Sequence, residues 1–288
     1  MMIRMITVTL ATMFFIQISA QVHPITILEE GHILVSLKVN DSIPANFILD
    51  TGAGITVMSS KFFNKISENS PPEGFFTGFR HDGDRLDGEL FSVKSIDLGG
   101  YVRNDIVGGV YPPLDNYGID GLLSMTFFKD KAFTIDYQNQ KIRLLSDDEL
   151  KSIAANSPSV PLSLNQKSDV SLDISIPICV NGEFTVDAEF DTGSGHELFL
   201  INPYFMNDLG IDSSKLTSSI YTTPISQKKL TDYSSEQKLG ICGTGSEYQK
   251  KSVLFREGLI YEALIGSGLF SDKSITIDIP GKRFFVHN

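Results

Sequence analysis

Clusters of lysine and arginine are missing from this sequence: its 24 basic residues are scattered among 35 acidic ones, for a formal net charge of −11. A protein that tracks a phosphate backbone neutralises it with grouped cations, so nucleic acid is not an expected partner. The acidity reads instead as a soluble, self-repelling surface. Cysteine is scarce too. The two that occur, Cys179 and Cys242, both lie in the second half, no Cys-x-x-Cys pair exists, and the five histidines are dispersed. Neither a metal site nor a cofactor is expected from such a set. The two thiols are equally compatible with a disulfide and with free buried groups, because sequence does not say whether they face one another. Beyond the first twenty residues no long apolar run appears, so no membrane span is expected in the mature chain.

Those first residues have their own layout: Arg4, an apolar run from Met5 to Ile18, then Ser19-Ala20 before Gln21. This is the three-part pattern of a secretory signal cleaved after Ala20, and no cysteine follows it to take a lipid. An exported protein, periplasmic or extracellular, is the expectation. The stretch from Gln21 to the first strand near Gly31 is only about ten residues, short for an inhibitory propeptide.

Apolar residues make up 41% of the 288 positions and charged residues 20%, a globular composition with room for two domains. The chain is organised around Phe47-Ile-Leu-Asp-Thr-Gly-Ala-Gly54, which returns as Glu189-Phe-Asp-Thr-Gly-Ser-Gly195. An apolar run ending in Asp-Thr-Gly reads as a strand that runs into a tight turn. One such tripeptide is weak evidence, but two in matching contexts are not. Val39-Asn40 precedes Asp50 as Val180-Asn181 precedes Asp191, both at an offset of 141. Asp120-Gly-Leu-Leu-Ser124 then recurs as Glu262-Ala-Leu-Ile-Gly266, and Phe128–Tyr137 as Phe270–Ile279, with Thr134-Ile-Asp136 and Thr276-Ile-Asp278 identical. Motif and flanking elements recur in one order, so a whole domain is repeated. The boundaries expected are a signal over 1–20, a first lobe over 21–156, a linker over 157–170 and a second lobe over 171–288.

Between the motifs the text is mostly short alternating segments, which predict strands at 33–39, 45–49 and 55–58. Ser59 or Ser60 is placed to cap a helix over 61–66, and Ser146-Asp-Asp-Glu149 forms a capping box for a helix ending near Asn156. Asn202-Pro203 signals a helix to Leu209, and Val160–Leu164 reads as a strand between the halves. Phe75–Val93 reads as a hairpin turning at Asp82-Gly83. Its acids, Asp82, Asp84, Asp87 and Glu89, do not fit a calcium loop, because Leu86 stands where an oxygen donor is needed. A solvated acidic turn is expected.

These residues together resemble the aspartic peptidases of the pepsin and retropepsin superfamily, in the two-lobed, duplicated retropepsin-like form found in bacteria. The resemblance implies an all-β fold of two retropepsin- or pepsin-like β-barrel lobes in pseudo-twofold arrangement, with short helices. It implies an aspartic endopeptidase that hydrolyses peptide bonds through an Asp50/Asp191 dyad activating water in an interlobe cleft. Two carboxylates a few Å apart cannot both ionise cheaply and share one proton, which suits one to accept a proton from water and the other to donate one. By the same resemblance Thr51, Gly52, Ala53, Thr192, Gly193 and Ser194 support the dyad, and Leu122, Leu123, Ser124, Leu264, Ile265 and Gly266 pack behind the turns. Ser194 is expected to donate its hydroxyl to the Asp191 carboxylate, which Ala53 cannot do for Asp50. That would leave Asp50 the more easily protonated and extend activity to milder pH. A flap is placed at Phe79, Asp82 and Gly83. It lacks the family's flap tyrosine, with Phe79 or Phe91 as the substitute. His196 reads as structural. The partner implied is an extended peptide or protein substrate paired as an added strand, and one chain holding both aspartates implies a monomer. Two other readings differ in kind. One is a peptide-binding pseudoprotease with the same lobes, favoured by Ser124 where the family has glycine and opposed by the intact aspartates. The other treats the aspartates as turn residues of a structural β-protein, which requires both motifs to be coincidence.

Overall fold

The computed structural model describes residues 21–245 and 247–287, so the signal segment expected over 1–20 lies outside the described residues. Strands dominate, and the period-two pattern of the sequence is the cause. In Ile33–Val39 the side chains of Ile33, Val35, Leu37 and Val39 are buried while Ser36 and Lys38 face water. In Ser171–Val180, Leu172, Ile174, Ile176, Ile178 and Val180 are buried in the same way.

The strands form two eight-stranded sheets with matching orders. The first runs Thr26–Ile27, Ile33–Val39, Ile43–Leu49, Gly121–Leu123, Thr56–Met58, Tyr101–Val110, Arg85–Leu98, Pro72–Phe79. The second runs Ser163–Lys167, Ser171–Val180, Phe184–Phe190, Ala263–Ile265, Phe199–Ile201, Gln249–Arg256, Lys229–Ile241, Thr217–Thr222. Each folds back on itself, since Val39 also pairs with Ile96 and Val180 with Leu239. That closure makes each sheet a small barrel-like lobe around an apolar interior. The expected all-β, two-lobed architecture is therefore the observed one.

A third, six-stranded sheet takes strands from both halves and was not foreseen. Its order is Gln21–Pro24, Lys141–Leu144, Ala132–Asp136, Ser274–Asp278, Arg283–His287, Ser159–Pro161. The two copies of Thr-Ile-Asp lie antiparallel at its centre, with Thr134 opposite Thr276 and their hydroxyls 2.7 Å apart. The pseudo-twofold axis passes between them. One continuous core, from Ile25 to Val286, runs through both lobes.

Local signals hold in most places. Ser59 caps the helix Ser60–Ile66, its hydroxyl accepting from Phe62 N at 3.1 Å. Both bonds of the capping box form at the start of Asp147–Asn156. Two expectations need correction. After Asn202-Pro203 only a single 3₁₀ turn forms, Pro203–Met206, because Asn202 satisfies Tyr204 N and the following Asn207-Asp208 favour local side-chain bonds over helix. The segment Val160–Leu164 splits between two sheets, Ser159–Pro161 pairing in the shared sheet and Ser163–Lys167 edging the second lobe. Cys179 and Cys242 form a disulfide, with Cα atoms 5.2 Å apart, which settles the open alternative. Among the described residues no helix is long and apolar enough to cross a membrane.

Candidate active site

Each Asp-Thr-Gly follows an interior strand of its lobe, Ile43–Leu49 or Phe184–Phe190. The segments behind the turns run parallel to those strands and hold the aspartate backbones. Asp50 N donates to Leu123 O at 3.0 Å, and Asp191 N to Ile265 O at 2.9 Å. Gly266 leaves no room for a side chain, since its Cβ would meet the Gly195 backbone. The other copy has room for Ser124. There Ser124 N donates to Thr56 Oγ1 at 3.2 Å, and the Ser124 hydroxyl lies 2.6 Å from Thr126 Oγ1 and caps the next turn. The first turn is thus supported by a hydroxyl pair where the second uses close backbone packing.

The two turns meet across the lobe interface and exchange bonds. Thr192 Oγ1 accepts from Thr51 N at 3.1 Å and donates to Leu49 O at 2.7 Å. Thr51 Oγ1 accepts from Thr192 N at 2.9 Å and donates to Phe190 O. Both threonines are fully buried, so these bonds fix the relative position of the turns. Glycine follows each threonine because the opposite carboxyl occupies the space: a Cβ on Gly52 would lie 2.6 Å from Asp191 Cγ, and one on Gly193 would overlap Asp50.

In this frame the Asp50 and Asp191 side chains hydrogen-bond each other. Gly52 N donates to Asp50 Oδ1 at 3.0 Å and Ser194 N to Asp191 Oδ1 at 3.1 Å. Burial, and then the charge of Asp191, push the Asp50 carboxyl well above the usual carboxylate range. Burial raises Asp191 as well, while the bond from Asp50, the backbone N–H groups and the charge of Arg80 pull it back down. Both carboxyls are raised, Asp50 the more, so the pair keeps a shared proton to higher pH than a free carboxyl would. The expected reason for this asymmetry is wrong. The Ser194 hydroxyl donates to the Asp191 backbone carbonyl at 2.8 Å, not to its carboxylate, so Asp191 owes nothing to that side chain.

The hairpin Pro72–Phe79 and Arg85–Leu98 turns at Gly83, as expected of Asp-Gly. Its acids are solvated at Asp87 and Glu89, as expected, but not at Asp82 and Asp84. Asp82 and Asp84 are 1% and 3% exposed, because the turn meets the equivalent hairpin of the second lobe, Thr217–Thr222 and Lys229–Ile241. Asp84 Oδ2 accepts from Ile225 N at 2.8 Å, and its carboxylate also takes the Ser226 hydroxyl. Asp82 Oδ2 accepts from Tyr221 OH at 2.9 Å. His81 Nε2 lies 3.1 Å from Arg256 Nη1, and Arg256 is held by Asp232 at 2.8 and 2.6 Å. Neither candidate for the missing tyrosine stands at the site: Phe91 is in the core against Phe63, and Phe79 is 57% exposed. The hairpin residue that acts on the dyad is Arg80, bonded to Tyr111 OH at 3.0 Å and near enough to lower Asp191. His196 lies off the dyad, its Nε2 3.2 Å from Glu197. Among the described residues no group of three or more His, Cys, Asp or Glu is arranged to hold a metal ion.

Residues 35–127 match the aspartyl protease family. The match spans the first Asp-Thr-Gly and the segment packed behind it. No curated protein matches the chain. Among solved structures, the basic 7S globulin from soybean covers 93% of this chain and 94% of its own at 10% identity, with a TM-score of 0.51. Conglutin gamma, a unique basic 7S globulin from lupine seeds, covers 93% and 95% at 9% identity, with a TM-score of 0.54. At such identities the likeness speaks for the two-lobed pepsin-like fold alone.

Proposed function

We propose that this chain is an aspartic endopeptidase that hydrolyses peptide bonds through Asp50 and Asp191. The observation that carries the reading is the facing pair of carboxyls, one from each duplicated turn, both raised by desolvation and Asp50 the more, in a frame of threonine bonds that fixes them together. A substrate carbonyl above the pair would accept the Asp50 proton while Asp191 takes one from the attacking water. The carbonyl carbon becomes tetrahedral, and its collapse expels the amine, which leaves with a proton returned through the dyad. Fixed backbone donors at both carboxylates keep this geometry ready. The substrate of this reading is an extended peptide lying between the lobes and paired through its backbone. We further propose that the protein works as an exported monomer: the disulfide fits an oxidising compartment, and one chain supplies both carboxyls.

Asp50→Asn and Asp191→Asn are nearly isosteric and should each lower the hydrolysis of an unstructured protein by at least about 10³-fold with the fold intact. A statine-type transition-state analogue should block the wild type. Full activity in either variant would sink the dyad. A second reading, peptide binding without turnover, is favoured by the closed contact between the two hairpins and by a fold shared with proteins named as globulins. It predicts peptide binding by the wild type with no cleavage.

A further inference from the structure

Two residues before Asp191 the second lobe carries Glu189, 5% exposed, whose Oε1 has no hydrogen-bond partner. Along Phe184–Phe190 the side chains alternate. Phe190 enters the core against Phe270 and Phe284, at ring distances of 5.3 and 5.6 Å, so Glu189 projects from the opposite face, the face of Asp191. The equivalent residue of the first lobe is Ile48, apolar and buried. The strand Ser171–Val180 repeats the difference. Its Asp173 stands where the first lobe has His32. His32 Nε2 reaches Gly193 O at 3.0 Å, whereas Asp173 lies against the Asp50 turn, 2.8 Å from where a Cβ on Gly54 would be. Four carboxyl groups, Asp173, Asp191, Asp50 and Asp187, act on Glu189; the Tyr261 phenol shares these surroundings, and on the outer side Asp173 takes a bond from Asn165 at 3.5 Å and feels the charge of Lys167. Burial first, and then the four carboxyl charges, push Glu189 up to about 10, and burial pushes Asp173 up to about 6. An unpartnered carboxyl in an acidic surrounding adds nothing to folding that the isoleucine of the other lobe would not.

We propose that Glu189 and Asp173 form an acidic recess beside the dyad that receives a lysine or arginine side chain of the bound peptide. This rests on the peptide-binding reading above, and deepens it to a substrate class. The cation supplies the donor that Glu189 Oε1 lacks and the charge that its neighbours call for. On binding, Glu189 gives its proton to solvent and becomes the carboxylate of an ion pair, so one proton is released for each peptide bound. The Ile48 side of the cleft has no such group, so the preference is one-sided along the peptide.

The test uses full-length Asp50→Asn protein, which keeps the cleft and does not cut. Pairs of peptides that differ only in lysine against norleucine at each scanned position are compared by fluorescence anisotropy and by calorimetry in two buffers of different ionisation enthalpy at about pH 7. The lysine peptide is expected to bind at least about 10-fold tighter at one position, with close to one proton released. Adding Glu189→Gln should abolish the release and most of the preference, and Glu189→Leu, which fills the same space, should do so in a chain no less stable. Equal binding of both peptides at every position, no binding of either, or a preference that survives both substitutions overturns the recess. If the preference is found while the wild type cuts nothing, the recess stands and the hydrolytic reading falls. If the wild type cuts with no basic preference, hydrolysis stands and the recess falls.

Discussion

At the scale of single residues, Asp50 and Asp191 differ in surroundings more than in sequence context. Burial raises both and their mutual repulsion bears on the pair, whereas the charge of Arg80 pulls Asp191 back down. In the proposed mechanism the working form carries one proton on the pair. As pH falls through the raised value of Asp191 the base is lost, and as pH rises through the value of Asp50 the acid is lost. We expect a bell-shaped kcat/KM profile whose acid limb lies above the ordinary carboxylate value of 3.8, and an acid limb below that value would contradict the assignment. Arg80→Met should move the acid limb further toward neutrality. The aspartates, threonines and glycines of this site were legible because two copies of a short motif fix them. The asymmetry was legible in direction only. Sequence names Ser194 but not which oxygen of Asp191 it bonds, and that bond goes to the carbonyl. Glu189 was invisible as a site residue because it continues the polar phase of an alternating strand, after Thr185 and Asp187; the signal was its burial there and an isoleucine at the duplicate position.

Among the elements, the paired hairpins carry the clearest chemical control. Burial would raise Asp84, but bonds from the Ser226 hydroxyl and the Ile225 and Ser226 N–H groups bring it down to about 2. Its contribution is present above the unfolded value of 3.8 and is lost as pH falls toward 2. His81 acts over a higher window. Burial lowers it from 6.5 to about 4, with Asp82 and Asp232 opposing and Arg80 and Arg256 assisting, so stability drains as pH falls between those values. Asp84→Ala removes the acceptor for Ser226 and Ile225 and should weaken the contact by about 3 kcal/mol. Hydrogen exchange at Arg80–Asp84 and Thr223–Lys228 should then speed up about 100-fold, while the strand Ile43–Leu49 stays protected. Unchanged exchange at the tips would show that the carboxylate does not hold them together. The hairpin and its turn were legible from Asp82-Gly83. Its burial was not, since the partners of Asp82 and Asp84 lie about 140 residues on, in a hairpin that the sequence did not single out.

At the scale of the whole molecule the duplication was legible and the sheet that joins the copies was not. Its strands come from distant segments, and no periodicity states that Thr134 will face Thr276; the twofold relation alone puts them there. The disulfide binds Ser171–Val180 to the end of Lys229–Ile241 across 63 residues, within the second lobe only. Closing a loop of that length constrains the unfolded chain by about 4 kcal/mol. Cys179→Ser with Cys242→Ser should therefore lower denaturant stability by an amount of that order, and an unchanged midpoint would show that the bond is incidental.

The shared sheet also bears on what the two copies are free to become. A pair of identical subunits inherits every substitution twice, so a carboxylate gained on one side of the cleft arrives on the other as well, and four extra charges would crowd the dyad where two now stand. Joined through Thr134 and Thr276, the halves are copied separately and descend separately. One could turn isoleucine or histidine into an acid while the other kept its neutral wall. Fusion made left and right distinguishable, and a direction along the substrate became heritable.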